Sequence, residues 1–418
     1  MAMELLRRFA QGIRLGKSEP VSQWRTPKTL DQGNLGEACL ALDGNSHGSA
    51  LWENDGRLWT LPIGPGTKAA LARLPLGEGT TPRIMLNPNG RGLAIWQQEA
   101  AGERHVLGMI LGSGGQSAQV VFRTTGKVQH LQAAVDRRGN ALVVWLHEKD
   151  GSFDVMAQAF DTRGQTWEQR PTTLGLGSVV AVQPRIAVNH REHAMVLWEV
   201  QEGAFEGLVA SHYWPADRIW SDRPMPVVAR ATHQHQVVID DLGNALALWI
   251  NTPYGQRSTL EASFYDAHLS EWSEPEFLSS AQAFSLPRLV MTGNGEAMAA
   301  WCQGEGHGPS RLYAKSFLNR KWDANVECLE LGREPVRDFT IAMGPEGAAG
   351  VIAVQQGTDG DRIFVRLRQG PWSAPVQLGA TSQAPLSSPR LVLCPAGASA
   401  LWMQGVGKHK ALTLAETI

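Results

Sequence analysis

Four arginines stand at one place in a recurring stretch, as Pro82-Arg83-Ile84, Pro184-Arg185-Ile186, Pro287-Arg288-Leu289 and Pro389-Arg390-Leu391. A guanidinium offers a planar fork of donors that matches carboxylate and phosphate, and its flat face stacks on aromatic rings. Arg83, Arg185 and Arg288 lie thirteen residues before a tryptophan, and Arg390 lies twelve before Trp402. Gln132 and Gln236 hold the same place before Trp145 and Trp249, with Cys39 and Thr340 in the two remaining copies. The spacing predicts a site near the start of one strand, opposite the tryptophan on the next. Two readings follow. In one, each Arg stacks on its own Trp, a structural cation and ring pair worth roughly 0.5 to 2 kcal/mol. In the other, four guanidiniums, with Gln132 and Gln236 between them, encircle one mouth of a channel and take a carboxylate, a phosphate or an acidic partner segment. Both can hold, because stacking leaves the guanidinium edge free to donate.

Other reactive residue types carry weaker patterns. His233-x-His235 and His190-x-x-His193 are the close histidine pairs; neither has an acidic or Cys neighbour at metal-ligand spacing, so no metal site is expected. On a strand His233 and His235 would share a face. Phosphate-loop, nucleophile-elbow and dinucleotide motifs are absent, so neither a cofactor nor catalysis is signalled. Glycosidic cleavage needs two carboxylates roughly 5 to 10 Å apart. Asp150, Asp154, Glu202 and Glu206 are the loop acids that folding would have to bring together, and otherwise they read as solvated charges. Cys39, Cys302, Cys328 and Cys394 have no C-x-x-C spacing and read as buried thiols.

The elements that position these residues come from a repeat of about 50 residues. Its clearest copies are Gly139-Asn-Ala-Leu-Val-Val-Trp145, Gly243-Asn-Ala-Leu-Ala-Leu-Trp249 and Gly295-Glu-Ala-Met-Ala-Ala-Trp301. Weaker copies end at Trp52, Trp96, Trp198 and Trp402, and Ala353 takes the tryptophan place in another, so that successive steps run from 44 to 53 residues. In the third copy the pattern predicts strands over 131–136, 141–146, 155–160 and 166–174, separated by turn residues. Asp136 can bond its own turn and Gly139 can take a positive φ; Asn87, Asn189 and Asp240 hold the matching place and are expected to be turn caps rather than catalytic acids.

Four-stranded antiparallel sheets repeated eight times predict an all-β, eight-bladed β-propeller, with seven blades as the alternative if the divergent first copy is irregular. The last copy has three strands, while Trp24-Arg-Thr-Pro27-Lys-Thr-Leu30 is like the fourth strands beginning at Trp272 and Trp372. The N-terminal strand is therefore expected to complete the last blade and remove the exposed edges. Seven tryptophans end second strands and six begin fourth strands; Trp59 and Trp214 fall outside both rows. Arg in even copies and Gln, Thr or Cys in odd ones makes four two-blade units.

The repeat resembles a widespread bacterial propeller repeat, Pro-x-Ile/Val-Ala-Val-Asp-x-x-Gly-Asn-Ala-x-x-x-Trp followed by Phe-Asp and Trp-x-x-Pro strands. It is similar to the sialidase-like, Asp-box group over residues 23 to 418. The Asp-box is only partly met by Asp161-Thr-Arg-Gly164-Gln-Thr166-Trp167, with Asp one place early. The resemblance implies a fold. A sialidase site would also need an Arg cluster, a Tyr nucleophile and a Glu, and Tyr213, Tyr254, Tyr265 and Tyr313 do not map onto that pattern.

Composition sets the outer bounds. With 38 Lys plus Arg against 40 Asp plus Glu, no basic excess points to nucleic acid. No apolar run is long enough to cross a bilayer, and residues 1–20 lack a secretory core, so a cytoplasmic protein is expected. Residues 1–20 read as a tail or short amphipathic helix, and 21–418 as one propeller domain. The expectation for function is a non-catalytic scaffold or anion-binding module, with a protein or anionic ligand as partner. A carbohydrate-binding or carbohydrate-active propeller is the alternative.

Overall fold

The computed structural model describes residues 23–64, 74–112, 117–175, 180–202, 205–253, 256–304, 310–332, 334–344, 347–395 and 397–417. The expected tail over 1–20 and Tyr254 lie outside the described residues, as does the side chain of Glu202. Among the described residues no helix is long and apolar enough to cross a membrane.

Eight antiparallel sheets follow one another along the chain. Blade three shows the plan, with strands Lys127–Val135, Ala141–Lys149 and Ser152–Asp161, then two short pieces at Thr166–Trp167 and Thr172–Thr173 that both pair with the third strand. The expected single fourth strand is thus broken in two. Pro171 stands in the gap; a proline has no N–H for the ladder and restricts the residue before it. First strands of neighbouring blades lie against one another around the whole ring, blade eight's against blade one's, so they line the central channel.

The turn from first to second strand is built as the residues suggest. Asp136 Oδ1 accepts the backbone N–H groups of Arg138 and Asn140 at 2.7 and 2.9 Å, and Gly139 takes φ 92° to close the loop. Asn189 accepts the N–H of Arg191 and of His193 in the same way, and its amide donates to the Asp240 carbonyl of the next blade at 2.7 Å. Asn87 likewise donates to the Asp136 carbonyl at 2.8 Å. The turn caps therefore also tie blade to blade.

The second-strand tryptophans form the core between blades. Trp52, Trp145, Trp249 and Trp301 are fully buried, and Trp145 packs against Phe122 of the preceding blade with ring centroids 4.9 Å apart. Each buried indole removes a large apolar area from water. In blade seven Ala353 leaves room, and Phe339, its direct cross-strand partner, is buried in the same core.

The ring closes as expected. Lys28–Gly33 pairs antiparallel with His409–Glu416, and Trp24 bridges to Thr417. That pairing completes blade eight and leaves it no open edge on the third strand.

Candidate functional site in the central channel

Each of the positions singled out by the repeat lies on a first strand. Their cross-strand partners are Ile95 for Arg83, Val144 for Gln132, Leu197 for Arg185, Leu248 for Gln236, Ala300 for Arg288 and Leu401 for Arg390. Each faces the residue before the tryptophan, which corrects the expected opposition to the Trp itself. In blades two to six the cause is the turn: in blade three Val135 pairs with Ala141, so five residues form the loop, an odd number that moves the register by one, while Arg390, one residue nearer its Trp, reaches the same place across a shorter loop with Cys394 paired to Gly397.

A second feature lies immediately upstream. The ladder shifts register just before every one of these six positions, a β-bulge in each strand. The residue two places earlier is Thr81, His130, Gln183, Gln234, Leu286 or Ser388, each with φ between 49° and 55°. Side chains rarely take that left-handed region, and its recurrence marks a built structure rather than an accident. In three of the two-blade units an acceptor from the odd blade holds the N–H of this residue in the even one. Gln234 Oε1 takes Leu286 N–H at 3.0 Å, Asp338 Oδ2 takes Ser388 N–H at 3.0 Å, and Glu53 takes that of Thr81. The two-blade period thus has a structural basis.

The arginines converge without stacking on their own tryptophans. Arg288 lies instead over Phe339 of the next blade, 5.9 Å from the ring centroid, and Asp338 opposes its charge. Arg83 pairs with Glu37 of blade one and donates to the Pro82 carbonyl at 2.9 Å. Arg288 and Arg390 donate in the same manner to Pro287 and Pro389, each at 3.3 Å. Gln132 and Gln236 are half-buried at the same level, on blades three and five.

Arg185 differs from the rest. Its Nε is buried and meets no hydrogen-bond acceptor among the described residues. Burial pushes its pKa down, the charges of Arg288 and Arg83 push it further, and Glu199 opposes them. The ring is therefore uneven: Glu37 pairs with Arg83 and Asp338 is the foremost charge acting on Arg288, while at Arg185 the opposing Glu199 is outweighed by Arg288 and Arg83 and the group stays desolvated. A buried donor without an acceptor costs roughly 1 to 3 kcal/mol.

The histidines also depart from expectation. A left-handed Gln234 separates His233 from His235, and the two side chains enter different surroundings. His235 is fully buried with Nδ1 3.0 Å from Glu199 Oε1 of blade four, whereas His233 Nε2 lies 3.4 Å from Thr252 Oγ1. His190 pairs with Asp241 at 3.0 Å. Both acidic partners come from other blades, so linear spacing carried no sign of them.

Of the four acids expected in loops, Asp150 sits in a turn at φ 53°, whereas Asp154, Glu202 and Glu206 lie in the strands Ser152–Asp161, Ala194–Glu202 and Phe205–Trp214, which corrects the expectation for those three; Glu206 accepts the Gln201 amide at 3.1 Å. Of the cysteines only Cys302 is fully buried; Cys39, Cys328 and Cys394 are half-buried, which corrects the expectation for those three. Burial pushes the Cys39 thiol up to about 12, so it carries no thiolate to the channel.

No family model matches the chain, and no curated protein matches it. Solved structures of similar shape exist. A polysaccharide lyase, Uly1, is 10% identical, with 84% of this chain aligned to 94% of that one at a TM-score of 0.50. A Hadza microbial sialidase, Hz136, is 13% identical over 76% and 73% of the two chains, with a TM-score of 0.43. The BP39L lectin from Burkholderia pseudomallei is 13% identical over 76% and 93%, with a TM-score of 0.45. The chain is an eight-bladed β-propeller. At these identities the likeness is one of fold.

Proposed function

We propose that this propeller is a ligand-binding module whose channel takes a small carboxylate or phosphate at Arg185. Arg83, Arg288 and Arg390 surround the site, and Gln132 and Gln236 offer amides. The observation that carries the reading is the buried, acceptor-less Nε of Arg185 within a field of like charge. An oxyanion supplies the missing acceptor and offsets the repulsion in one step. The site holds rather than cuts in this reading, since Glu199, the carboxylate opposing Arg185, is engaged by His235. A protein partner would enter by presenting an acidic side chain to the same position. The carbohydrate alternative rests on the names of structural neighbours, and an acidic saccharide would join the two readings.

Thermal-shift measurements with citrate, inorganic phosphate, and acidic and neutral oligosaccharides test it. The expected result is stabilisation by the anions that Arg185→Ala and Arg288→Ala abolish or weaken. Stabilisation by a neutral sugar that survives both substitutions, or silence with every anion, overturns it.

A further inference from the structure

The two unpartnered nitrogens at this site have opposite polarity. Arg185 Nε is a donor without an acceptor. His235 is the reverse: its Nδ1 faces the Glu199 carboxylate at 3.0 Å, and its Nε2 is buried and meets no partner among the described residues. A carboxylate accepts only, so Nδ1 carries the hydrogen and Nε2 of the neutral ring presents a lone pair. His235 occupies a place where the other odd blades bury Ala38, Leu131 and Phe339. An imidazole there brings polarity into an apolar slot, and half of that polarity is unused.

The charged and titratable groups around this imidazole come from three blades. Glu199 approaches from blade four's second strand, Arg185 belongs to its first strand, His130 reaches in from blade three, and His233 lies on the same strand as His235. His130 is held below its usual range by burial, then by Arg185 and His235, so these groups share one electrostatic neighbourhood. Where the ring of His235 is neutral, a bare anion at this nitrogen would meet a lone pair rather than a donor.

We infer that the ligand occupies this site as an acid, with one proton shared between a ligand oxygen and His235 Nε2 and the Arg185 guanidinium bonded to a second oxygen. The inference rests on the anion-binding reading above and narrows its ligand class to weak oxyacids. An ionised carboxylate takes the proton from solvent, which makes His235 an imidazolium braced by Glu199. A monohydrogen phosphate brings the proton itself. In both cases the complex holds one proton more than the fully ionised ligand and neutral imidazole together, and the proton is neither consumed nor transferred further.

Calorimetric titration of the whole chain with citrate, in two buffers of different ionisation heat at neutral pH, measures this proton directly. About one proton is taken up per citrate beyond that bound by citrate alone, and affinity weakens about tenfold for each pH unit on the alkaline side. Glu199→Gln lowers the uptake by weakening the imidazolium, and His235→Gln abolishes it while citrate still binds through Arg185. Binding of citrate with no proton uptake overturns the inference and leaves the anion site standing. Uptake that survives His235→Gln and disappears in His130→Gln also overturns it. If neither citrate nor phosphate binds at mildly acidic or alkaline pH, the anion-binding reading itself fails.

Discussion

Phe339 faces Ala353 across the first strand pair of blade seven, and the guanidinium of Arg288 from blade six lies over that phenyl ring. The phenylalanine supplies the aromatic mass that the second strand of this blade lacks. Its loss would open a cavity in the core shared with Leu312, Val336 and Val351. Phe339→Ala is expected to cost about 3 to 5 kcal/mol in denaturant unfolding. Ala353→Trp alone overpacks the site by about 1 to 3 kcal/mol, and the double variant recovers part of both losses. Strict additivity of the two changes would contradict the packing described.

Arg185 and Arg83 should respond to substitution with opposite sign. Arg185→Met removes a buried donor without an acceptor, and in anion-free buffer the protein should gain about 1 kcal/mol while losing its anion response. Arg83→Met removes a partner of the partly exposed Glu37 and should cost up to about 1 kcal/mol. Chemical denaturation in a buffer without oxyanions distinguishes them; a loss of stability in Arg185→Met means its guanidinium is satisfied without ligand.

Acid should weaken the fold through His212. This ring is fully buried between His193 Nδ1, 3.3 Å away, and the Tyr265 hydroxyl, 3.4 Å away. Burial, then the His193 charge, pushes its pKa down to about 4. The unfolded chain, with an ordinary His near 6.5, takes the proton first as pH falls. The contribution is therefore whole above about pH 6.5, declines toward about pH 4, and amounts to roughly 3 kcal/mol. His193, also held low by burial, adds in the same direction. Melting temperature followed against pH should fall across this window, and His212→Gln should flatten the curve.

Asp136 offers a test of turn cap against catalytic acid. It accepts two backbone N–H groups and the Asn140 amide, at 2.8 Å, and is almost completely buried. Asp136→Ala should destabilise by about 2 to 4 kcal/mol, with Asp136→Asn retaining part of the cap. Anion binding in the channel, at mid-strand positions such as Arg185 in Val180–Val188 rather than near the start of the strand as expected, should be unchanged in any variant that still folds. A loss of binding without a loss of stability would return this carboxylate to the list of working groups.

The architecture was legible because it is written in repeated residues. Gly139 to Trp145 and its relatives mark each hairpin, and Trp24 with Pro27 announces the strand that completes blade eight. The channel arginines were legible for the same reason, although the turns placed them one step from the predicted partner. The bulges were hidden: Thr81, His130, Gln183, Gln234, Leu286 and Ser388 take a conformation usually signalled by glycine, and none is one. Glu199 and His235 were hidden differently. They stand at different places in their repeats, 36 residues apart, and only the docking of blade five on blade four joins them.

The pairing of Lys28–Gly33 with His409–Glu416 sets an order of assembly. During synthesis the strand that completes blade eight emerges before the other strands of the ring and must wait, unpaired, until His409–Glu416 has left the ribosome. Arg390, on the same late blade, joins the other three only then. A nascent chain that still lacks blade eight therefore has no enclosed channel, and its four arginines are not yet together.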